Sequence, residues 1–343
     1  MQQTSKIRFA VVGYGHIGQR HAEMIHRHEE AELVAICDID KTKSTLIQDK
    51  NIPFFEQIEA LFQANLNIDV LCICTPNGWH APHALLALEN SAHVVCEKPM
   101  ALNRIDCEKI IYKSLQMSRQ VFCVMQNRYS PPAVWIKQVM QAGLLGKIHM
   151  VQINCYWNRD ERYYAPNGQK HAWKGTLNLD GGTLFTQFSH FIDMMYWLFG
   201  DIHKIQAQFA NFTHPNLPFE DSGLVQFEFI NGGMGSINYS TAIYDKNLES
   251  SMTIIGENGS VKIGGQYMNE VEYCHIKNYE MPILPPANPA NDYGNYKGSA
   301  ANHIYVIENV VDSLKGRKPI STNALEGMKV VEIIEKIYTL KSK

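Results

Sequence analysis

A turn of six residues, Gly13-Tyr14-Gly15-His16-Ile17-Gly18, constrains this chain more than any other stretch of it. It follows an apolar run, Ile7–Val12, and opens a helical pattern over 17–28. The three glycines have separate physical uses. The first permits a tight turn, the second leaves bare backbone for a pyrophosphate to approach, and the third lets the helix pack closely on the strand. The helix start adds free amide donors and the positive end of the helix dipole. Glycines alone are a weak signal, but a second apolar run over 32–38 ends in Asp38, twenty residues after Gly18. A carboxylate there accepts the ribose hydroxyls and repels a 2′-phosphate. The expectation is a dinucleotide held by Gly13, Tyr14, Gly15, His16, Ile17 and Asp38, with NAD preferred. Lys41 and Lys43 keep NADP open.

The rest of the first third repeats the same grammar. Short apolar runs at 70–74, 93–96 and 121–125 alternate with helical patterns at 58–63, 80–89 and 103–118. Continuous apolar strands between helices predict a doubly wound parallel sheet covered on both faces. The pattern then changes. A long strand is expected at 148–157 and one helix at 182–199. Alternating strands follow at 205–212, 223–229, 233–239, 251–255 and 259–263, with Asn231-Gly232 and Asn258-Gly259 as hairpin signals. A Pro/Asn/Gly-rich loop over 282–298 precedes two closing helices, 303–314 and 323–340. At 343 residues the chain is expected to form two domains. These are a Rossmann domain, 1–126, and an α+β substrate and oligomerisation domain with a large, mostly antiparallel sheet, 127–343, whose last helices pack back on both.

Bulk properties narrow the function. Net charge is −3 with no basic stretch, so nucleic acid and anionic membranes are not expected as partners. The apolar runs fall short of the ~20 residues of a membrane span. The first six residues lead directly into a strand, so no secretory leader is expected. The eight cysteines lack zinc or redox spacing and mostly sit in apolar runs. Reduced core thiols in a cytoplasmic protein, and no metal, are the reading.

Chemistry is expected where strands end. Thr75-Pro76-Asn77 follows the strand at 70–74, and Thr75, Asn77 and His80 are candidates for the nicotinamide half of the cofactor. Glu97-Lys98-Pro99 ends the next strand. Side chains alternate along a strand, so Glu97 and Lys98 point to opposite sides. Burial disfavours the charged form of an amine at such a place. Lys98 is therefore a candidate to bind a substrate hydroxyl or take its proton. Downstream, Gly181-Gly182 opens a helix carrying Thr186, Gln187, His190 and Asp193. Thr186 and His190, four apart, would share one face, and Asp193 could orient the imidazole. Histidine is the usual proton acceptor near neutral pH.

At these residues the chain resembles the Gfo/Idh/MocA oxidoreductases over nearly its whole length. The resemblance rests on the glycine turn, Glu97-Lys98-Pro99 and the Gly181-Gly182…His190…Asp193 helix. It extends to the nucleotide-sugar 3-dehydrogenases of the WlbA/WbpB type through Gln126-Asn127-Arg128-Tyr129, Tyr156-Trp157-Asn158-Arg159, Trp173-Lys174-Gly175-Thr176 and Asp180-Gly181-Gly182. It implies NAD-dependent oxidation of a sugar hydroxyl, C3 of a UDP-N-acetylglucosamine-type sugar, on the way to surface polysaccharide sugars. It also implies a homo-dimer or homo-tetramer formed sheet to sheet. Lys98 and His190 match the family's catalytic positions, while Thr186 stands where the family carries Asp or Asn. Glu97, Lys98 and Gln126 join the expected cofactor contacts. Arg128, Tyr129, Arg159, Tyr163, Trp173, Gln187, Asp193 and His303 are expected near substrate, with Arg162 and Tyr164 in the same aromatic and cationic segment. A dehydrogenase of a free sugar or inositol, an NAD-retaining glycoside hydrolase and a non-catalytic NAD or nucleotide-sugar sensor are the other readings.

Overall fold

A computed structural model of the chain describes residues 5–294 and 296–341. The outermost residues of both expected domains, and most of the N-terminal stretch read as lacking a leader, lie outside the described residues. Two compact units form, one from 1–125 with 303–331 and the other from 126–302 with 332–343.

The first unit is built from β1 (Ile7–Val12), α1 (His16–Arg27), β2 (Ala31–Cys37), β3 (Phe54–Phe55), α2 (Ile58–Gln63), β4 (Val70–Ile73), α3 (His80–Glu89), β5 (His93–Cys96), α4 (Arg104–Gln116) and β6 (Val121–Cys123). All six strands pair in parallel in the order β3-β2-β1-β4-β5-β6. The order reverses between β1 and β4, the switch point where a doubly wound sheet binds its ligand. β4 is buried at every position and β5 at all but its first, as a sheet with two covered faces requires. Asn103 caps α4 by accepting from the Asp106 amide.

The second unit contains α5 (Pro131–Gln141), β7 (Ile148–Tyr156), α6 (Glu161–Tyr164), α7 (Ser189–Phe199), β8 (Ile202–Ala210), β9 (Ser222–Phe229), β10 (Met234–Ser240), β11 (Glu249–Gly256), β12 (Gly259–Gly264), β13 (Glu270–Ile276) and the short pair β14 (Ala290–Asp292) and β15 (Lys297–Ala300). Seven strands form one sheet, β13-β12-β11-β7-β10-β9-β8, antiparallel except where β10 meets β7. Val225, Ile237, Ile254 and Val261 on one face of the sheet are buried, as are Phe188 and Phe191. The opposite face carries Leu224, Met234, Met150, Ile255 and Tyr273, all exposed. The chain closes with α8 (His303–Leu314), grouped with the first unit, and α9 (Ala324–Tyr338), which begins in the first unit and ends in the second.

The sequence reading needs correction at several elements; it contained no β3, α6 or β13. α5 is absent from the sequence reading, although Pro131 at its first turn costs no intrahelical hydrogen bond and marks a helix start. The loop at 282–298 contains β14 and the start of β15. The single helix at 182–199 is instead a π-wound turn, Leu184–Phe188, followed by α7. No helix among the described residues is long and apolar enough to cross a membrane.

Candidate active site

In the first unit the turn after β1 is shaped by close backbone contact. Gly13 has φ 85°, and a Cβ there would lie 2.6 Å from the Cys74 carbonyl oxygen. A Cβ on Gly18 would sit 1.9 Å from the Gly13 carbonyl oxygen. Gly15 is different: a Cβ there would meet no protein atom within 4 Å. Gly15 also caps α1, whose first amides receive no side-chain cap. Bare amides with open space before them are what a pyrophosphate needs. At the end of β2, Asp38 Oδ2 accepts from the Tyr14 amide at 2.6 Å and Oδ1 from the Asp40 amide at 2.8 Å. Those bonds lock a half-exposed carboxylate that keeps lone pairs for ribose hydroxyls. The residues fit NAD. Asp38→Asn removes the charge that discriminates against a 2′-phosphate. NAD affinity is expected to fall about 10-fold, with NADP affinity rising relative to it. Fluorescence titration with both nucleotides checks this, and an unchanged NADP/NAD ratio removes Asp38 from that role.

The neighbouring turns are stapled rather than open. His80, expected near nicotinamide, has Nδ1 2.6 Å from the Pro99 carbonyl and Nε2 2.8 Å from the Thr75 carbonyl. Both ring nitrogens lie against backbone carbonyls, and the neutral imidazole donates to one of them at a time, so His80 links the two turns. Burial pulls its pKa below the ordinary value. Thr75 Oγ1 pairs with His83 Nδ1 at 3.1 Å, and Asn77 is buried.

Glu97 and Lys98 follow β5 directly; Glu97 is buried and Lys98 half-buried. Glu97 Oε1 lies 2.9 Å from His21 Nε2 on α1 and 3.4 Å from His303 Nε2 on α8. The first contact is a hydrogen bond; the second has ion-pair distance without hydrogen-bond geometry. Burial pushes the Glu97 carboxyl up, but the two imidazoles outweigh it and hold it well below the usual carboxylate range. His303, expected near substrate, has no exposed surface. Its partner is the carboxylate preceding Lys98. The Lys98 amide also donates to Glu97 Oε2 at 3.3 Å, so this cluster braces the backbone that carries Lys98.

In the second unit, His190 stands buried on the first turn of α7, its Nε2 3.4 Å from Gln126 Nε2. The π turn ends between Thr186 and His190, so the i+4 stacking expected of one α-helix does not relate them. Thr186 Oγ1 instead donates to Asp180, to the carbonyl oxygen at 2.8 Å and to Oδ1. Asp180 Oδ2 accepts from the Gly175 amide at 2.7 Å. A carboxylate therefore adjoins Thr186, where the resemblance implies Asp or Asn.

Asp193 and Arg128, separately expected near substrate, form a buried ion pair. Arg128 Nε donates to Oδ2 at 2.8 Å and Nη2 to Oδ1 at 2.6 Å. Arg128 also stacks on Trp197. Arg159 is 1% exposed and donates to Gln187 Oε1 at 2.6 Å, to the Asn158 carbonyl at 2.6 Å, to the Lys297 carbonyl at 3.1 Å and to Asn247 Oδ1 at 3.3 Å. Gln187 Nε2 donates to the Tyr163 hydroxyl at 2.9 Å. Tyr129 and Trp173 are half-buried, and Trp173 meets His171 edge to face. Arg162 is engaged by Asp160 and Asp245, and Tyr164 packs with Tyr163 and Phe219. All eight cysteines are free thiols.

The sequence reading gave no role to His21, Asp180 or Lys174. His21 had a signal: it lies in the stripe Gly18, His21, Ala22, Ile25 of α1, where a polar residue requires a partner. Asp180 and Lys174 had none beyond their place in quoted motifs.

Comparison with known proteins agrees with this geometry. Residues 7–124 match the model of an oxidoreductase family with an NAD-binding Rossmann fold, and 134–262 match the GFO/IDH/MocA C-terminal domain. A crystal structure of the WlbA dehydrogenase from Bordetella pertussis, in complex with NADH and UDP-GlcNAcA, is 30% identical. It covers 98% of this chain and 96% of that one, with a TM-score of 0.85. D-glucoside 3-dehydrogenase of Escherichia coli K12 is 23% identical, across 98% of this chain and 95% of its own length. Inositol 2-dehydrogenase of Rubrobacter xylanophilus is 27% identical, across 76% of this chain and 72% of its own.

Proposed function

The chain belongs to the GFO/IDH/MocA oxidoreductase family, and on that footing we propose that it oxidises the C3 hydroxyl of a UDP-N-acetylglucosamine-type sugar, as a step toward surface polysaccharide sugars. The protein is an NAD-dependent dehydrogenase of a sugar or polyol. One observation carries the finer reading, the full-length likeness at 30% identity to a dehydrogenase crystallised with NADH and UDP-GlcNAcA.

Bound NAD supplies the atom that accepts hydride. Gly13, Gly15 and the first amides of α1 hold its diphosphate, and Asp38 its ribose. Lys98 and His190 handle the hydroxyl proton that must leave as hydride leaves. Thr186 accepts from a sugar hydroxyl, because its own proton is committed to Asp180. Gln126 holds the imidazole of His190. Tyr163 and Gln187 face substrate as part of the network around Arg159. The reaction is placed in the cytoplasm, where NAD and UDP-sugars are made. The exposed apolar side chains on the outer face of the seven-stranded sheet support self-association into a homo-dimer or homo-tetramer.

The D-glucoside and inositol relatives favour a second reading, oxidation of a free sugar or cyclitol. A panel resolves them. With NAD present, NADH absorbance is followed with UDP-N-acetylglucosamine, its uronate, D-glucosides and myo-inositol. Turnover of a UDP-sugar at least ~100-fold more efficient than of any free sugar is expected. The reverse ranking replaces the proposal with the second reading. Sugar release without NADH accumulation identifies a hydrolase. Single-turnover reduction of bound NAD excludes a sensor.

A further inference from the structure

We propose that Lys174 anchors an anionic oxygen group of the substrate, with Arg159 fixed behind it as a second positive charge. The inference rests on the nucleotide-sugar reading and extends it to the residue that recognises the substrate's charge.

Two cations share one pair of tyrosine rings. Lys174 Nζ lies 3.9 Å from the Tyr163 ring centroid and 5.1 Å from that of Tyr296. Arg159 Cζ lies 5.3 Å and 5.0 Å from the same two rings. Among the described residues no carboxylate forms an ion pair with either cation. Aromatic faces attract a cation, but they do not neutralise it. Asp180 is the acid felt by Lys174, and both its oxygens are already engaged, by Thr186 and the Gly175 amide. Two positive charges against one negative leave a surplus of one.

The two cations differ in what they can do with an incoming anion. Arg159 is locked by its four hydrogen bonds and is buried. Lys174 is half-buried and makes no hydrogen bond among the described residues, so its three N–H donors are available. Burial, and then repulsion from Arg159, pull the Lys174 pKa down to about 8, with Asp180 opposing. An ammonium held that close to neutrality is one whose charge is poorly compensated until an anion arrives. Tyr163 and Tyr296, the other titratable groups against it, have pKa values pushed up by burial and stay neutral in this range.

The matching group is a carboxylate or phosphate, which on a UDP-sugar means a C5 uronate or the diphosphate. Full-length protein carrying Lys174→Met or Lys174→Arg separates the sources. Lys174→Met is expected to lower kcat/KM for UDP-N-acetylglucosaminuronate by about 10- to 100-fold, mainly through KM, and Lys174→Arg to recover most of it. The same loss with UDP-N-acetylglucosamine assigns the diphosphate. A loss confined to the uronate assigns the carboxylate. Wild-type kcat/KM should fall as pH rises through about 8, where the ammonium loses its proton, and stay flat in Lys174→Arg. A KM within twofold of wild type in Lys174→Met for every UDP-sugar overturns the anchor. If the wild-type protein turns over no UDP-sugar, the functional reading has failed by itself. The anchor is then decided by NMR of 13C-methylated lysines titrated with glucuronate and with inorganic pyrophosphate. A raised Lys174 pKa with either anion supports it, and no shift with both overturns it.

Discussion

Lys98→Met and His190→Asn each lower turnover by about 10²–10⁴-fold while leaving NAD affinity within a few-fold of wild type. The range is that of a positioned acid or base acting on a proton in the transition state. An alcohol cannot surrender hydride from carbon without also losing its O–H proton, so a group that takes that proton is required. Two groups of the right chemistry stand at element ends: Lys98 directly after β5, and His190 on the first turn of α7. Methionine keeps the length of lysine and removes its charge and donors. Asparagine keeps hydrogen bonding at position 190 and removes the titrating ring. Neither substitution touches Gly13, Gly15 or Asp38, so the diphosphate and ribose contacts persist, and loss of the cofactor contact expected of Lys98 costs no more than that few-fold. Stopped-flow absorbance of NADH formation gives the chemical step, and calorimetric titration gives NAD affinity. Full single-turnover rates in both variants would dismiss the proposed proton handling. Loss in one variant only names the base and leaves the other residue as an anchor.

The second large effect is on stability. Asp193→Ala is expected to destabilise the second unit by about 3–5 kcal/mol, because it removes the carboxylate that pairs with the buried Arg128 guanidinium. Arg128 and Asp193 side chains are 3% and 0% exposed, and both oxygens of the carboxylate accept from the guanidinium. For a unit of this size the loss corresponds to a fall in Tm of about 6–20 °C. The paired variant Arg128→Met/Asp193→Leu should lose clearly less than Asp193→Ala, since removing both charges also removes the need to desolvate them. Differential scanning calorimetry of the three proteins decides. A double variant as unstable as the single one shows that the pair contributes through packing, not charge. α7 carries both Asp193 and His190, so the single variant is also expected to lose activity at temperatures where it is still folded.

Legibility followed range along the chain. α3 and β5 form over the residues their patterns announced, 80–89 and 93–96, because helix and strand periods are local properties. The parallel order around β1 followed from a glycine turn and an acid twenty residues on. The π turn at Leu184–Phe188 was not legible, since its apolar spacing reads as continuous α-helix. It matters because the face shared by Thr186 and His190 depended on that continuity. The role of His303 was misread for a different reason. A histidine opening a late helix shows the same pattern whether it meets substrate or, as here, a buried glutamate more than two hundred residues earlier.

By itself the sequence determined the two sheets, the glycine turn after β1, an acid, Asp38, directly after β2, and Lys98 and His190 as groups placed at element ends. Each is written in spacing of a few residues, where backbone sterics and side-chain periodicity act. Only the tertiary structure decided the partners: Asp180 against Thr186, Arg128 against Asp193, Glu97 between His21 and His303, and Arg159 with Lys174 around the Tyr163 and Tyr296 rings. Buried charge must find compensation wherever the fold brings it, and sequence separation carries no record of which side chains meet there.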